Sequence, residues 1–159
     1  MFYIVIGQSG AGKTTFCKSR FLIAPFEQKE DIVAYTICSN GIYALGKYGI
    51  GVRTEGTDTL SYSAKEKIKK QLKKFAILGK DVLLEGDRIN NHETLEYIAT
   101  LGVPVKMYLV TCRLKTSIKR LRAAGSTITP TFVKTTKTKS KKTFLEYCSR
   151  FNGEIINTD

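Results

Sequence analysis

The eight residues Gly7-Gln8-Ser9-Gly10-Ala11-Gly12-Lys13-Thr14 have the types and spacing needed to hold a polyphosphate. They fit G-x-x-x-x-G-K-[ST], and they follow the apolar run Phe2–Ile6 and precede a helix-like stretch, the context that gives the pattern mechanical meaning. Gly7 and Gly12 permit a tight turn in which successive N–H groups converge on one point and surround phosphate oxygens. A helix starting here adds unpaired N–H groups and the positive end of its dipole. Lys13 is placed to reach the β- and γ-phosphates, the Thr14 hydroxyl to ligate Mg²⁺, and Thr15 completes the binding set. The expectation is a site for a nucleoside triphosphate, ATP or GTP, with Mg²⁺.

A second group of candidates lies where Asp81-Val82-Leu83-Leu84-Glu85 ends. That run is apolar on both faces, as an inner strand of a parallel sheet would be, and ligand chemistry in such sheets gathers at the carboxyl edge. Either Glu85 or Asp87 is expected to orient Mg²⁺ or its water shell, and the sequence does not choose between them. Asp87-Arg88 also suits an acceptor, the carboxylate taking a hydroxyl's proton and the guanidinium gripping a phosphate. Asp58 sits among Thr57, Thr59 and Ser61, either as a ligand for the acceptor or as the N-cap of the next helix. Lys119, Arg120 and Arg122 precede a polar loop at Gly125 and suit a lid, about residues 120–140, that clamps the transferring phosphoryl group. Arg113, after a strand end, is a further candidate. His92, the only histidine, is given no catalytic role, because phosphoryl transfer depends on positioning and charge.

The elements that position these residues alternate between strand and helix. Helices are expected near 14–22, 64–78, 92–101 and 114–124, with a last one carrying the Lys-rich segment through Tyr147. Strands are expected at 2–6, 31–38, 81–85, 104–112 and 154–157. Residues 41–53 alternate glycine with apolar side chains and read as short strands or a hairpin closing near Gly46-Lys47. The alternation, with no internal repeat, gives an α/β fold with a mainly parallel sheet and helices on both faces, in one domain spanning 1–159.

Hydrophobic residues make up 42% of the 159 and charged ones 25%, as in a globular protein that needs no membrane. Phe2–Ile6 is too short for a signal peptide and no run is long enough to span a bilayer. Cys17, Cys38, Cys112 and Cys148 form no C-x-x-C pair, so reduced thiols in a cytoplasm are expected. The net charge of +12 is the unusual feature. It is concentrated in Lys65, Lys67, Lys69, Lys70, Lys73 and Lys74 and in the 134–142 stretch, which points to DNA as a partner.

Three further pieces carry a resemblance: Gly56-Thr57-Asp58-Thr59-Leu60-Ser61, Leu84-Glu85-Gly86-Asp87-Arg88, and Thr131-Phe132-Val133-Lys134 with Thr138-Lys139 behind it. With the phosphate-binding loop they resemble small P-loop kinases of the nucleoside monophosphate kinase class. More narrowly, they are similar to the phage kinases of DNA hypermodification, the 5-hydroxymethyl-deoxyuridine DNA kinases. That group's pattern has a Trp where this chain has Phe132 and an Arg where it has Thr136. The resemblance implies a three-layer P-loop NTPase fold and phosphorylation of a base hydroxymethyl group in polymerised DNA. Lys13 and Thr14 would hold ATP·Mg²⁺, Asp87 or Glu85 would serve metal or acceptor, Asp58 and Arg88 would position the acceptor, and Arg120 and Arg122 would clamp the phosphoryl group. Two alternatives stand beside it: a deoxynucleoside monophosphate kinase acting on free nucleotides, and a non-catalytic DNA-binding module that senses nucleotide.

Overall fold

In the computed structural model, which describes residues 1–49 and 54–159, β1 (Phe2–Ile6) leads through the Gly7–Thr14 loop into α1 (Lys13–Arg20). The strands β2 (Phe26–Glu30), β3 (Ala34–Cys38) and β4 (Ile42–Leu45) follow. After two single 3₁₀ turns, Thr57–Thr59 and Tyr62–Ala64, come α2 (Lys65–Ile77), β5 (Asp81–Glu85) and α3 (His92–Thr100). The chain closes with β6 (Val105–Thr111), α4 (Leu114–Ala123), α5 (Pro130–Tyr147) and β7 (Gly153–Asn157). All seven strands join one sheet in the order β2-β3-β4-β5-β1-β6-β7. From β4 to β7 the pairing is parallel, and β2-β3-β4 is an antiparallel meander on one edge.

Period-2 alternation explains the layers, even in strands that are apolar throughout. Phe2, Ile4 and Ile6 of β1 pack with Leu72 and Phe75 of α2, Leu95 and Ile98 of α3, and Phe144 and Tyr147 of α5. Val5, on the opposite face, packs with Cys17 of α1, Phe21 and Tyr108. The result is the three-layer α/β architecture expected from the sequence. α2 shows why a Lys-rich stretch can be a helix at all. Its fully buried Ile68, Leu72 and Phe75 contribute roughly 1.5–3 kcal/mol each, whereas like-charge repulsion at helical spacing costs only a few tenths.

The expected boundaries shift in four places. The strand expected at 31–38 begins at Ala34, because Asp31 lies in the turn from β2 and accepts a hydrogen bond from Lys74 (2.6 Å). β2 itself was not expected: Phe26-Glu27-Gln28-Lys29-Glu30 lies on a solvated edge and offers no apolar alternation. The hairpin in 41–53 turns at Ser39–Gly41, between β3 and β4, and not at Gly46-Lys47. Ile50 to Arg53, the rest of that expected hairpin, fall outside the described residues. Finally, α5 starts at Pro130: Thr129 caps it by accepting from the Phe132 N–H (3.2 Å), and Pro130 takes the first helical position. Of the segment 120–140, only residues 124–129 therefore lie between helices. Among the described residues, no helix is long and apolar enough to cross a membrane.

Candidate functional site

β1 sits between β5 and β6, so its carboxyl end delivers the Gly7–Thr14 loop to the middle of the sheet edge. The loop is pressed against β6. A Cβ on Gly7 would lie 2.0 Å from the Val110 carbonyl oxygen, so only glycine fits there. The Gln8 side chain, 1% exposed, ties the loop down: its Nε2 donates to the Cys112 carbonyl (2.8 Å) and the Ser117 hydroxyl (3.2 Å), and its Oε1 accepts from Thr111 (3.2 Å). The Ser9 N–H donates to Thr136 of α5 (3.4 Å). Lys13 Nζ donates to the carbonyls of Gly7 (3.1 Å) and Gln8 (3.2 Å), which holds the ammonium over the mouth of the loop.

Gly10, Gly12, Lys13, Thr14 and Thr15 line a cavity of about 340 Å³ whose opposite wall is Thr54, Glu55, Asp58 and Glu85. Glu85 is 3% exposed. Its Oε1 accepts from the Thr14 hydroxyl (2.5 Å) and its Oε2 from the Tyr48 hydroxyl (2.9 Å). Burial pushes the Glu85 carboxyl up from its ordinary value, and these two hydrogen bonds and the Lys13 charge oppose the rise. Burial and the neighbouring Glu85 push the Tyr48 hydroxyl and the Cys17 thiol up as well. Glu55 pairs with Lys18 through Oε1 (2.6 Å), while its Oε2 is buried without a hydrogen-bond partner among the described residues.

Two of the sequence pieces turn out to be one structure. The Thr57 hydroxyl donates to the Glu85 carbonyl (2.7 Å), and the Asp87 N–H donates to Asp58 Oδ1 (3.0 Å). Gly86 (φ +127°) lies so close that a Cβ there would stand 2.5 Å from Thr57 Oγ1 and 2.9 Å from Asp58 Oδ1. The 56–61 and 84–88 segments thus form a clasp beside the phosphate-binding loop. Asp58 lies inside the first 3₁₀ turn and holds the 86–87 turn; it does not cap α2. Arg88 is fixed by its Nε–H to the Leu60 carbonyl (3.2 Å) and by its guanidinium 3.3 Å from the centre of the Tyr62 ring.

A second cavity, about 260 Å³, opens on the other side of Lys13 and Asp58. Asp87, Arg88, Thr136, Tyr62, Ile128 and Phe132 line it. Tyr62 is 81% exposed and Phe132 50%, which is unusual for aromatic rings that border a polar cleft. Asp58 belongs to both cavities.

Arg120 and Arg122 are not brought to this place. Arg120 donates to the hydroxyl (3.0 Å) and carbonyl (2.5 Å) of Thr158, and with Thr15, Phe16 and Ser19 it lines a third cavity of about 380 Å³ beyond Gly12. Arg122 is exposed near the end of α4 and lines none of these three cavities. Arg113 pairs with Asp159 (3.4 Å). His92 faces α5, between Glu146 (2.9 Å) and the Tyr147 hydroxyl (2.7 Å), away from the phosphate-binding loop.

The Lys face of α2 is partly neutralised. Lys65 (2.7 Å) and Lys69 (2.5 Å) both reach Glu93, whose carboxyl they hold down at about 2, Lys69 also reaches Glu66 (3.0 Å), and Lys74 reaches Asp31. On α5, Lys137 donates to the Cys112 carbonyl (2.8 Å) and Lys139 pairs with Asp87 (2.9 Å). The residues that sequence reasoning missed are Glu55, Tyr48 and Tyr62. Each is set by a contact across the fold, and no local spacing distinguishes it.

The chain matches no known protein family, and no curated protein matches it in sequence. Among solved structures it is similar to deoxyadenosine kinase from M. mycoides with bound dCTP, at 14% identity over 99% of this chain and 90% of that one (TM-score 0.46). The same enzyme with products dCMP and a flexible dCDP bound gives 13% identity, 98% and 90% coverage and a TM-score of 0.47. With bound dATP the values are 13%, 98%, 90% and 0.46. These are distant likenesses.

Proposed function

We propose that this protein is an ATP- and Mg²⁺-dependent kinase that phosphorylates a hydroxyl of a modified pyrimidine, of the 5-hydroxymethyluracil kind, in DNA. The observation that carries the reading is the shared wall of two cavities: Lys13 and Asp58 stand between a phosphate-binding cavity and an aromatic-rimmed one. A donor phosphoryl group and an acceptor hydroxyl placed in the two would meet there.

The donor's phosphates lie in the Gly7–Thr14 loop against its N–H groups, and its nucleoside lies beside Thr15, Phe16 and Arg120. Mg²⁺ fits the residues present. It takes oxygen donors, keeps several waters and is commonly held by one or two carboxylates plus substrate phosphates. Thr14 and Glu85 offer such donors in hydrogen-bond contact, and the unpaired Glu55 oxygen can accept from a coordinated water. When bound, the ion neutralises charge on the β- and γ-phosphates.

In the transfer, the bond from the γ-phosphorus to the β-bridging oxygen breaks and a bond to the acceptor oxygen forms. Asp58, on both cavities, receives the acceptor's proton, and Lys13 offsets the charge on the phosphoryl oxygens. Asp87 and Arg88 position the acceptor, whose base lies between the Tyr62 and Phe132 rings.

The test offers γ-labelled ATP and Mg²⁺ with hydroxymethyluracil-containing DNA, ordinary DNA and free deoxynucleotides in parallel, with Lys13→Ala as control. Label on the modified DNA alone is the expected result. Label on free nucleotides with DNA inert would overturn the DNA acceptor and leave a nucleotide kinase. That second reading draws on Lys69, which Glu66 and Glu93 engage together and which makes α2 a poorer DNA track than its sequence implies.

A further inference from the structure

The acceptor cavity does not close behind Arg88. Tyr62, Asp87 and Arg88 also line an adjoining cleft of about 320 Å³, which continues to Lys65 at the start of α2, Asn91 and Lys139 of α5. Three cations face this cleft against the single carboxylate of Asp87. Arg88 is held in place by Leu60 and Tyr62. Lys139 and Lys65 are held only by solvent-exposed pairs, with Asp87 (2.9 Å) and Glu93 (2.7 Å). Such pairs contribute little net stability, so an entering phosphate can take either ammonium without a large penalty.

The size of the two spaces matters. A nucleotide whose reacting hydroxyl lies beside Lys13 has its base in the aromatic-rimmed cavity. The adjoining cleft is then left for what is attached to that nucleotide, and its chemistry suits an anion.

We propose that this cleft is the subsite for the phosphodiester next to the acceptor nucleotide, so that the acceptor enters as part of a DNA strand passing Arg88 toward Lys139 and Lys65. The proposal rests on the acceptor reading above. It also relocates the DNA contact. Lys67, Lys70 and Lys73 do not line the cleft, and the backbone is gripped by one end of α2 together with the middle of α5.

Anisotropy of a short fluorescein-labelled single-stranded oligothymidylate, titrated with the full chain in the absence of ATP, tests this directly. Lys139→Glu is expected to weaken binding about tenfold and to lower the slope of log affinity against log salt by roughly one contact. Lys139→Gln and Lys65→Gln, which remove charge without setting a carboxylate against Asp87 or Glu93, are expected to weaken it several-fold. Lys70→Glu and Lys73→Glu should leave it nearly unchanged. Thermal unfolding of each variant checks that the fold is kept. The proposal is overturned if the wild type does not bind, if the Lys139 and Lys65 variants bind like it, or if the loss appears with Lys70 and Lys73 instead. Because binding is read without transfer, a protein that binds in the expected way but phosphorylates nothing sinks the kinase reading and leaves the subsite standing.

Discussion

The Thr14 hydroxyl lies 2.5 Å from Oε1 of Glu85, although 71 positions separate the two residues in the chain. The parallel pairing of β1 with β5 underlies this contact, since Val5 is opposite Glu85 in the register and Thr14 follows β1 through the Gly7–Thr14 loop. Asp87, the other acidic candidate, is turned toward Lys139 and the acceptor side. This contact supports the proposal of Glu85, and not Asp87, as the carboxylate beside Mg²⁺.

Glu85→Gln is expected to weaken Mg²⁺ dependence of transfer by about tenfold or more, with Thr14→Ala following in the same direction. The pH dependence has a definite sign. Burial raises the Glu85 carboxyl, so protonation on lowering the pH begins above the ordinary glutamate value and removes the proposed metal ligand. Apparent Mg²⁺ affinity should therefore fall on the acid side at a pH above 4.5, the ordinary value, and Glu85→Gln should flatten that limb. Stability runs the opposite way. A raised folded-state value favours the protonated folded form, so stability is fully present below the unfolded value and declines as pH rises through the folded one. Thermal unfolding at neutral pH should consequently show Glu85→Gln at least as stable as the wild type, the difference disappearing in acid.

Lys13→Ala should abolish most transfer while leaving the fold intact. Among the described residues Lys13 hydrogen-bonds the carbonyls of Gly7 and Gln8, so the stability change is expected within about 0.5 kcal/mol. Loss of a cation aimed at developing charge costs about 10²- to 10³-fold in rate. A steady-state kcat within a few-fold of wild type would remove Lys13 from the mechanism.

How much of this was legible beforehand depends on the range of the contact. The loop at Gly7–Thr14 and strand β5 are written in local sequence, and the structure has them as read. The meaning of Gly56–Ser61 was not, because Thr57 and Asp58 act on Glu85 and the 86–87 turn nearly 30 residues away. Arg120 is a long-range case too: Thr158 and the Ala11 carbonyl of the Gly7–Thr14 loop (3.5 Å) hold its guanidinium, and no spacing within α4 reveals that. The start of α5 was legible and passed over: Thr129-Pro130 is a cap followed by a first-turn proline, hidden within a run of polar residues that reads as loop.

Gly86→Ala tests the clasp. Its Cβ would stand 2.5 Å from Thr57 Oγ1, and the backbone conformation is one that side chains rarely adopt. Strain of this kind costs about 1–3 kcal/mol. Thr57→Val, which leaves the Glu85 carbonyl without the buried hydroxyl donor, should cost a similar ~1–3 kcal/mol. Denaturant unfolding measures both. If the clasp positions Asp58 and Asp87, each variant should also raise the acceptor KM more than the ATP KM.

The exposed rings at the acceptor cavity give the sharpest separation of function from stability. Tyr62 is 81% exposed and Phe132 50%, so truncating either removes little buried area and should leave the unfolding temperature nearly unchanged. A base stacked on an aromatic ring gains about 1–3 kcal/mol, so Tyr62→Ala or Phe132→Ala should raise the acceptor KM about ten- to hundredfold at constant ATP KM. Tyr62→Phe keeps the ring and its contact with Arg88 and should restore near-wild-type values, whereas a hydrogen-bonding role for the hydroxyl predicts no rescue. Phe132→Trp enlarges the stacking face and should lower the acceptor KM. Equal changes in both KM values on losing either ring would place Tyr62 and Phe132 outside the acceptor site and leave their exposure to be explained by another partner.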